Sequence, residues 1–231
     1  MIENLFKNIA DKKEDFKQFA KKAYDFKWIT IDEYENIITK IESDILTVGV
    51  IGQMKCGKST LINSLVFDDE VLPVATTPMT ASLTIITYGK QKKLEAEFYN
   101  SVEWDELMNL ASREELNSDD NNNAKIKAAK EIKEKSLKIE SQISRLLGAK
   151  KEDSFDKLID YVGAEGKYIA ITKSVKIYMP LDYLKGVEIV DTPGLNDPVI
   201  SREERTKEFL SKADAVIMLL YAGRAFDSVD K

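Results

Sequence analysis

Histidine does not occur among the 231 residues. Its absence removes imidazole bases, His-dependent hydrolytic triads, proton switches near neutral pH and most zinc chemistry together. A single cysteine, Cys56, is present. No disulfide can therefore close within the chain and no thiolate cluster can hold a metal, and a reducing, cytoplasmic setting is the natural reading. Long apolar runs are missing as well. The longest, Ala215 to Ala222, falls far short of the ~20 residues that span a bilayer. The start, Met1 to Ala10, carries Glu3 and lacks the apolar core of a signal peptide. Positive charge is in the minority, with 34 Lys and Arg against 40 Asp and Glu and a net charge of −6. That balance argues against a nucleic-acid partner, which would require a basic face. What remains is ordinary globular material, 43% apolar and 32% charged, enough for one large domain or two small ones.

Periodicity divides the chain. Ile2, Ile9, Phe16 and Ala23 recur every seven residues, with Leu5, Phe19 and Phe26 offset by three. This predicts a helix with one apolar stripe, interrupted at Lys12. A second helix, Ile31 to Asp44, puts Tyr34, Ile37, Ile38 and Ile41 on one face. Residues 1–44 are thus expected to form a helical hairpin that packs on the main domain or on another helix. A membrane-surface helix is the alternative, since Phe and Lys are abundant, but Glu3, Asp11, Glu14, Asp15 and Asp25 dilute it.

Residues 45–231 read as an α/β domain. Leu46 to Ile51 is a buried-strand run ending in Gly, and a helix pattern follows in Lys58 to Val66. Ser82 to Tyr88 and Leu94 to Tyr99 are predicted strands joined by a turn at Gly89-Lys90. Val175, Ile177 and Met179 alternate, and Val187 to Val190 and Ala215 to Tyr221 complete the strands. Ser201 and Glu204 form a capping-box pair opening a helix to about Lys212. A mixed, mostly parallel sheet is expected. Residues 101–172 interrupt it as a helical insertion. There an Asn-rich break, Asn117 to Asn123, precedes one amphipathic helix carrying Ile132, Ser136, Ile139, Ile143 and Leu146.

Three segments carry chemistry. Gly52-Gln53-Met54-Lys55-Cys56-Gly57-Lys58-Ser59 fits G-x-x-x-x-G-K-S/T between a strand and a helix. Glycines let the backbone wrap a phosphate, so that N–H groups of the loop and of the helix start, through Thr60, face the anion. Lys58 would reach the β- and γ-phosphates and Ser59 would ligate Mg²⁺. Asp191-Thr192-Pro193-Gly194 follows a strand. Asp191 at that strand end can hold Mg²⁺ through water, and the Gly194 N–H can meet a γ-phosphate. Thr76-Thr77-Pro78-Met79-Thr80 supplies a loop threonine that can bind Mg²⁺ when triphosphate is present.

With these motifs in view, the chain resembles the bacterial dynamin-like GTPases. Gly49 to Leu65 (GVIGQMKCGKSTLINSL) is similar to their phosphate loop, Val71 to Ala81 (VLPVATTPMTA) to their first switch, and Val175 to Pro198 (VKIYMPLDYLKGVEIVDTPGLNDP) to their second. The resemblance implies GTP hydrolysis with Mg²⁺ and a phosphate-loop GTPase fold. It also implies dimerisation through the nucleotide face, with a second copy or a dynamin-like partner chain. Membrane lipids would be partners of the full-length parent, at the inner face of the membrane. It puts Lys55, Lys58, Thr80 and Gly194 in catalysis and Ser59, Thr80 and Asp191 on the metal. Two departures stand out. No N/T-K-x-D base-reading motif occurs, so the carboxyl-terminal part of the GTPase domain is expected to be absent and GTP is carried by the resemblance. Eukaryotic dynamins have Gln-Ser where Met54-Lys55 stand here. Lys55 could place an ammonium where those proteins recruit a monovalent cation, or it could point to solvent or pair across the dimer face. A nucleotide- or partner-binding module without turnover, and an ATPase of another phosphate-loop class, are the competing readings.

Overall fold

In a computed structural model the described residues are 2–43, 45–53, 56–67, 71–72, 82–114, 120–193, 209–211, 213–220 and 223. The chain forms two units, Met1–Ile45 and Leu46–Lys231.

The first unit is a pair of helices, α1 (Ile2–Asp25) and α2 (Ile31–Ser43). Thr30 caps α2. Its N–H and hydroxyl donate to Glu33 Oε2 (2.7 and 3.0 Å), and its Oγ1 accepts the Glu33 N–H (3.3 Å), so orphan donors at the helix start are satisfied reciprocally. The helices meet through small residues: Ala20 and Ala23 are buried, Tyr24 stacks on Tyr34 at 5.3 Å, and Lys17 pairs with Glu42 at 3.0 Å. Of the expected stripe, Ala23 lies at this contact. Phe16, Phe19 and Phe26 are 53%, 59% and 67% exposed. Ala20, Ala23 and Tyr24 form an i, i+3, i+4 face whose small side chains allow close approach, and a seven-residue row drifts off such a face by about 20° per heptad.

In the second unit the strands are β1 (Leu46–Gly52), β2 (Leu83–Tyr88), β3 (Lys93–Phe98), β4 (Lys150–Ser154), β5 (Thr172–Met179), β6 (Val187–Asp191) and β7 (Ala215–Leu219). They make one sheet in the order β4-β3-β5-β2-β6-β1-β7. The mixed α/β sheet expected from the sequence is present. Around β1 it is wholly parallel, with β6 on one side and β7 on the other. Beyond β6 the sheet is mixed: β2 is antiparallel to β6 and parallel to β5, and β3 is antiparallel to both β5 and β4. β7 is an edge strand with Val216 and Ile217 exposed.

β2 and β3 are consecutive in the chain but not neighbours, so the turn at Gly89-Lys90 does not make a hairpin. β5 lies between them, and the Gly89 N–H donates to Met179 O (2.9 Å). A local turn signal cannot register that β5, alternating Val175, Ile177 and Met179 inward, competes for both edges. The helix expected over Lys58 to Val66 is α3 (Lys58–Ile62) running into a π-helical turn, Asn63–Phe67.

The insertion opens with α4 (Ser101–Ala111), capped by reciprocal Asn100 and Glu103 bonds of 2.9 Å. The single helix expected next is two: α5 (Asp120–Ser136) and α6 (Glu140–Leu146), with a 3₁₀ turn over Leu137–Ile139. Ser136 turns its hydroxyl back to Lys133 O (2.7 Å), and such back-bonding competes with the helical ladder. Ile132, Ser136 and Ile139 are all buried. The insertion is also not purely helical, because β4 pairs with β3 before α7 (Leu158–Val162). β4 reads Lys-Lys-Glu-Asp-Ser; charge suits an outermost strand, and inward Lys151 lies over the Tyr168 and Tyr161 rings at 4.3 and 5.5 Å. These elements bury Phe98, Tyr99, Tyr161 and Ile171 against the β3–β5 half of the sheet. Among the described residues no helix is long and apolar enough to cross a membrane. The helix expected over Ser201 to Lys212 lies outside the described residues except for 209–211, which are helical.

Candidate nucleotide-binding site

The site begins where β1 runs out. Gly52 has φ of 150°, and a Cβ there would sit 2.5 Å from Leu219 O and 2.6 Å from Cys56 Sγ, so only glycine fits. Gly57 takes φ of 98° as the residue preceding α3, a conformation that favours glycine. Between them the Cys56 N–H donates to Gln53 O (3.3 Å), closing a tight loop. Lys58 opens α3 and is 8% exposed; its ammonium donates to Gly52 O (3.0 Å) and Gln53 O (2.9 Å). The cation is thus gathered into the loop, with one of its three N–H donors outside these two bonds. Ser59 follows, half-buried, whereas Thr60 is exposed on the first turn of α3.

Asp191 ends β6 beside Val50 of β1. Ser59 donates its hydroxyl proton to Asp191 Oδ2 at 2.9 Å, whereas Asp191 Oδ1 is buried with no hydrogen-bond partner. Burial pushes the Asp191 carboxyl up to about 6, against the Ser59 bond and the Lys58 charge, which pull it down. The next residue is tied to the same strand. Thr192 N–H and Oγ1 both donate to Val50 O (3.3 and 2.8 Å), and Pro193 is buried. Motifs 132 residues apart are therefore in direct contact. Met54, Lys55, Thr76, Thr77, Thr80 and Gly194 lie outside the described residues.

Among the described residues no group of three or more His, Cys, Asp and Glu could hold a metal. A hydroxyl–carboxylate pair with a spare buried oxygen fits Mg²⁺ nonetheless, because that ion takes few protein oxygens and completes its octahedron with phosphate and water. Two polar residues near the site went unread in the sequence. Asn63 looks like an ordinary helix residue, yet it is 6% exposed and hydrogen-bonds Leu72 with both ends of its amide. Ser82 looks like a strand start, yet it is 6% exposed with an unpaired hydroxyl. Only the pattern of a polar residue amid apolar neighbours could have flagged either.

Comparison with known proteins identifies the family. The model of the dynamin family matches residues 48–231. Dynamin-like protein 1 of Campylobacter jejuni is 30% identical over 224 residues, 94% of this chain and 29% of that protein. The bacterial dynamin-like protein of Nostoc punctiforme is 28% identical over 185 residues, 80% of this chain and 21% of that one. A solved structure, described as an oligomerised bacterial dynamin pair that provides a mechanism for long range sensing and tethering of membranes, superposes with a TM-score of 0.63 at 26% identity, covering 99% of this chain and 30% of that chain. The chain therefore spans less than a third of the length of each of these three. It belongs to the dynamin family, a family of GTPases that bind GTP and GDP.

Proposed function

We propose that the chain binds guanine nucleotide with Mg²⁺ at the β1–α3 loop and hydrolyses GTP, as the amino-terminal part of a dynamin-like protein. The observation that carries this reading is the Ser59–Asp191 contact at 2.9 Å with Asp191 Oδ1 unpaired, immediately beside the loop that gathers Lys58. Gly52, Gln53, Cys56 and Gly57 present loop backbone to the phosphates. Lys58 redirects its ammonium from the loop carbonyls to the β- and γ-phosphate oxygens. Ser59 would give its hydroxyl oxygen to Mg²⁺, and Asp191 would accept hydrogen bonds from water around it. The ion, when bound, would neutralise charge on the β- and γ-phosphates. Thr80 and Gly194 complete the γ-phosphate end, and Lys55 supplies a further cation there.

In this reading residues 45–231 are the GTPase domain, with its insertion at 101–172, and 1–44 are a separate helical segment. The parent dimerises with nucleotide bound across this face, with a second copy or a dynamin-like partner, and works as a peripheral protein on the inner membrane face. The family match and the likeness to a bacterial dynamin pair support both statements. The test is equilibrium binding of a fluorescent GTP analogue, challenged with GTP, GDP and ATP, in Mg²⁺ and in EDTA, followed by phosphate release. Displacement by GTP and GDP but not by ATP, with Mg²⁺ dependence, is the expected result. Equal displacement by ATP overturns guanine selectivity, and binding without release moves the chain to a non-hydrolysing module.

A further inference from the structure

Two side-chain oxygens among the described residues are buried without a hydrogen-bond partner: Asp191 Oδ1 and Ser82 Oγ. They are far apart in sequence but at the same end of adjacent strands. In the antiparallel β2–β6 pair Thr84 lies directly opposite Asp191, so these two share a face of the sheet. Ser82 is two residues before Thr84, and along an extended chain alternate residues share a face. Continuing the register outward brings Ser82 beside the Asp191-Thr192-Pro193 segment. This is the face α3 covers, since Ser59 reaches Asp191 across it. Thr84 is 5% exposed, and its hydroxyl is spent on Ser82 O at 3.4 Å. The Ser82 hydroxyl has no such bond.

A buried hydroxyl without a partner is costly, and native proteins leave few of them. Here a hydroxyl and a carboxylate oxygen are orphaned at one strand end; the carboxylate is already read as a metal contact, and the two have a common explanation. Mg²⁺ keeps several of its waters when it binds through phosphates, and those waters must donate their protons to protein oxygens. We propose that Ser82 is a positioning residue of the metal site: its hydroxyl, together with Asp191 Oδ1, holds the water shell of the divalent cation. The inference rests on the reading of the β1–α3 loop as a Mg²⁺–nucleotide site.

Outer-shell partners of this kind are worth about 10- to 100-fold in metal affinity. The experiment compares the parent chain with Ser82→Ala and, separately, Ser59→Ala. Two quantities are read: the Mn²⁺ dissociation constant of the GDP-loaded chain by electron paramagnetic resonance, and the thermal midpoint of the chain free of metal and nucleotide. Ser82→Ala is expected to weaken Mn²⁺ by ~10-fold while leaving the metal-free midpoint unchanged or higher, because an orphaned hydroxyl is removed. Mn²⁺ affinity within twofold of the parent, with Ser59→Ala weakened, overturns the role of Ser82 and leaves the site reading standing. If neither variant moves the Mn²⁺ constant, the site reading fails and the Ser82 proposal with it. A fall in both affinity and midpoint on Ser82→Ala marks a packing residue and also overturns the proposal.

Discussion

The side-chain amide of Asn63 closes on the backbone of Leu72 through two bonds. The Leu72 N–H donates to Asn63 Oδ1 at 2.7 Å, and Asn63 Nδ2 donates to Leu72 O at 2.8 Å. Both residues are buried. Asn63 is four residues after Ser59, so one short helical segment presents Ser59 to Asp191 and also fixes the backbone that leads toward Thr80.

Asn63→Leu is close to isosteric but leaves the Leu72 N–H and C=O buried and unpaired. At roughly 1–3 kcal/mol for each unsatisfied group, the expected loss is about 2–6 kcal/mol of unfolding free energy. Urea titration of the two proteins checks it. A midpoint unchanged by the substitution would show that Leu72 finds other partners.

Lys58→Ala removes a buried cation of the loop. Each charge-assisted bond contributes about 1.5–3 kcal/mol, so two bonds to phosphate predict a loss of GTP affinity of at least ~100-fold. Far-ultraviolet circular dichroism should stay as in the parent, because the lysine only bridges two loop carbonyls. Isothermal titration gives the affinity; parent-like binding would remove Lys58 from the phosphate site.

Asp191 predicts a pH dependence with a definite sign. Its carboxyl is pushed up to about 6 from 3.8, chiefly by burial, so the folded chain holds its proton more tightly than the unfolded one. The stability from that proton is complete below pH ~4 and is lost as pH rises through ~6. In EDTA, Asp191→Asn mimics the protonated form. It should raise stability at pH 7.5 by up to about 3 kcal/mol and flatten the profile between pH 4 and 6. Guanidinium melts at the two ends of that range make the comparison. The same variant should lose the Mg²⁺ dependence of nucleotide binding.

Gly52→Ala places a methyl group 2.5 Å from Leu219 O and 2.6 Å from Cys56 Sγ, at a φ of 150°. Backbone strain and overpacking each cost on the order of 1–3 kcal/mol, so a loss of about 2–6 kcal/mol is expected. Nucleotide binding should go with it, because the loop must shift to make room. Thermal melts together with analogue binding read both effects.

The strands around the site were legible because they concentrate β-branched and apolar residues, as in Val187 to Val190 and Ala215 to Leu219, although β7 is an exposed edge and not the buried strand its composition suggests. The meeting of Ser59 and Asp191 beside Lys58 was legible because phosphate chemistry narrows the choice of residue at each motif position. β4 was not: Lys150 to Ser154 is stabilised by pairing with β3 and by Lys151 over aromatic rings, neither of which appears in local composition. The separation of β2 from β3 was hidden for a similar reason, since it depends on a strand more than seventy residues further on. The Ala20, Ala23 and Tyr24 face that meets α2 was not legible, because a spacing of seven identifies an apolar stripe without saying what it meets. Asn63 and Ser82 were missed because their roles come from partners, or from the lack of one, and not from residue type.

The Ser59–Asp191 contact also has a place in time. Its two halves are separated by 132 residues of chain, and synthesis proceeds at ~5–20 residues per second. Roughly 7 to 26 s must therefore pass between the appearance of the serine and that of its carboxylate. For that interval a growing chain carries β1 and the loop without β6 beside them. On the proposed reading, any nucleotide that meets the nascent loop would do so before Asp191 exists, so full Mg²⁺–nucleotide binding would be acquired only once the sheet has closed.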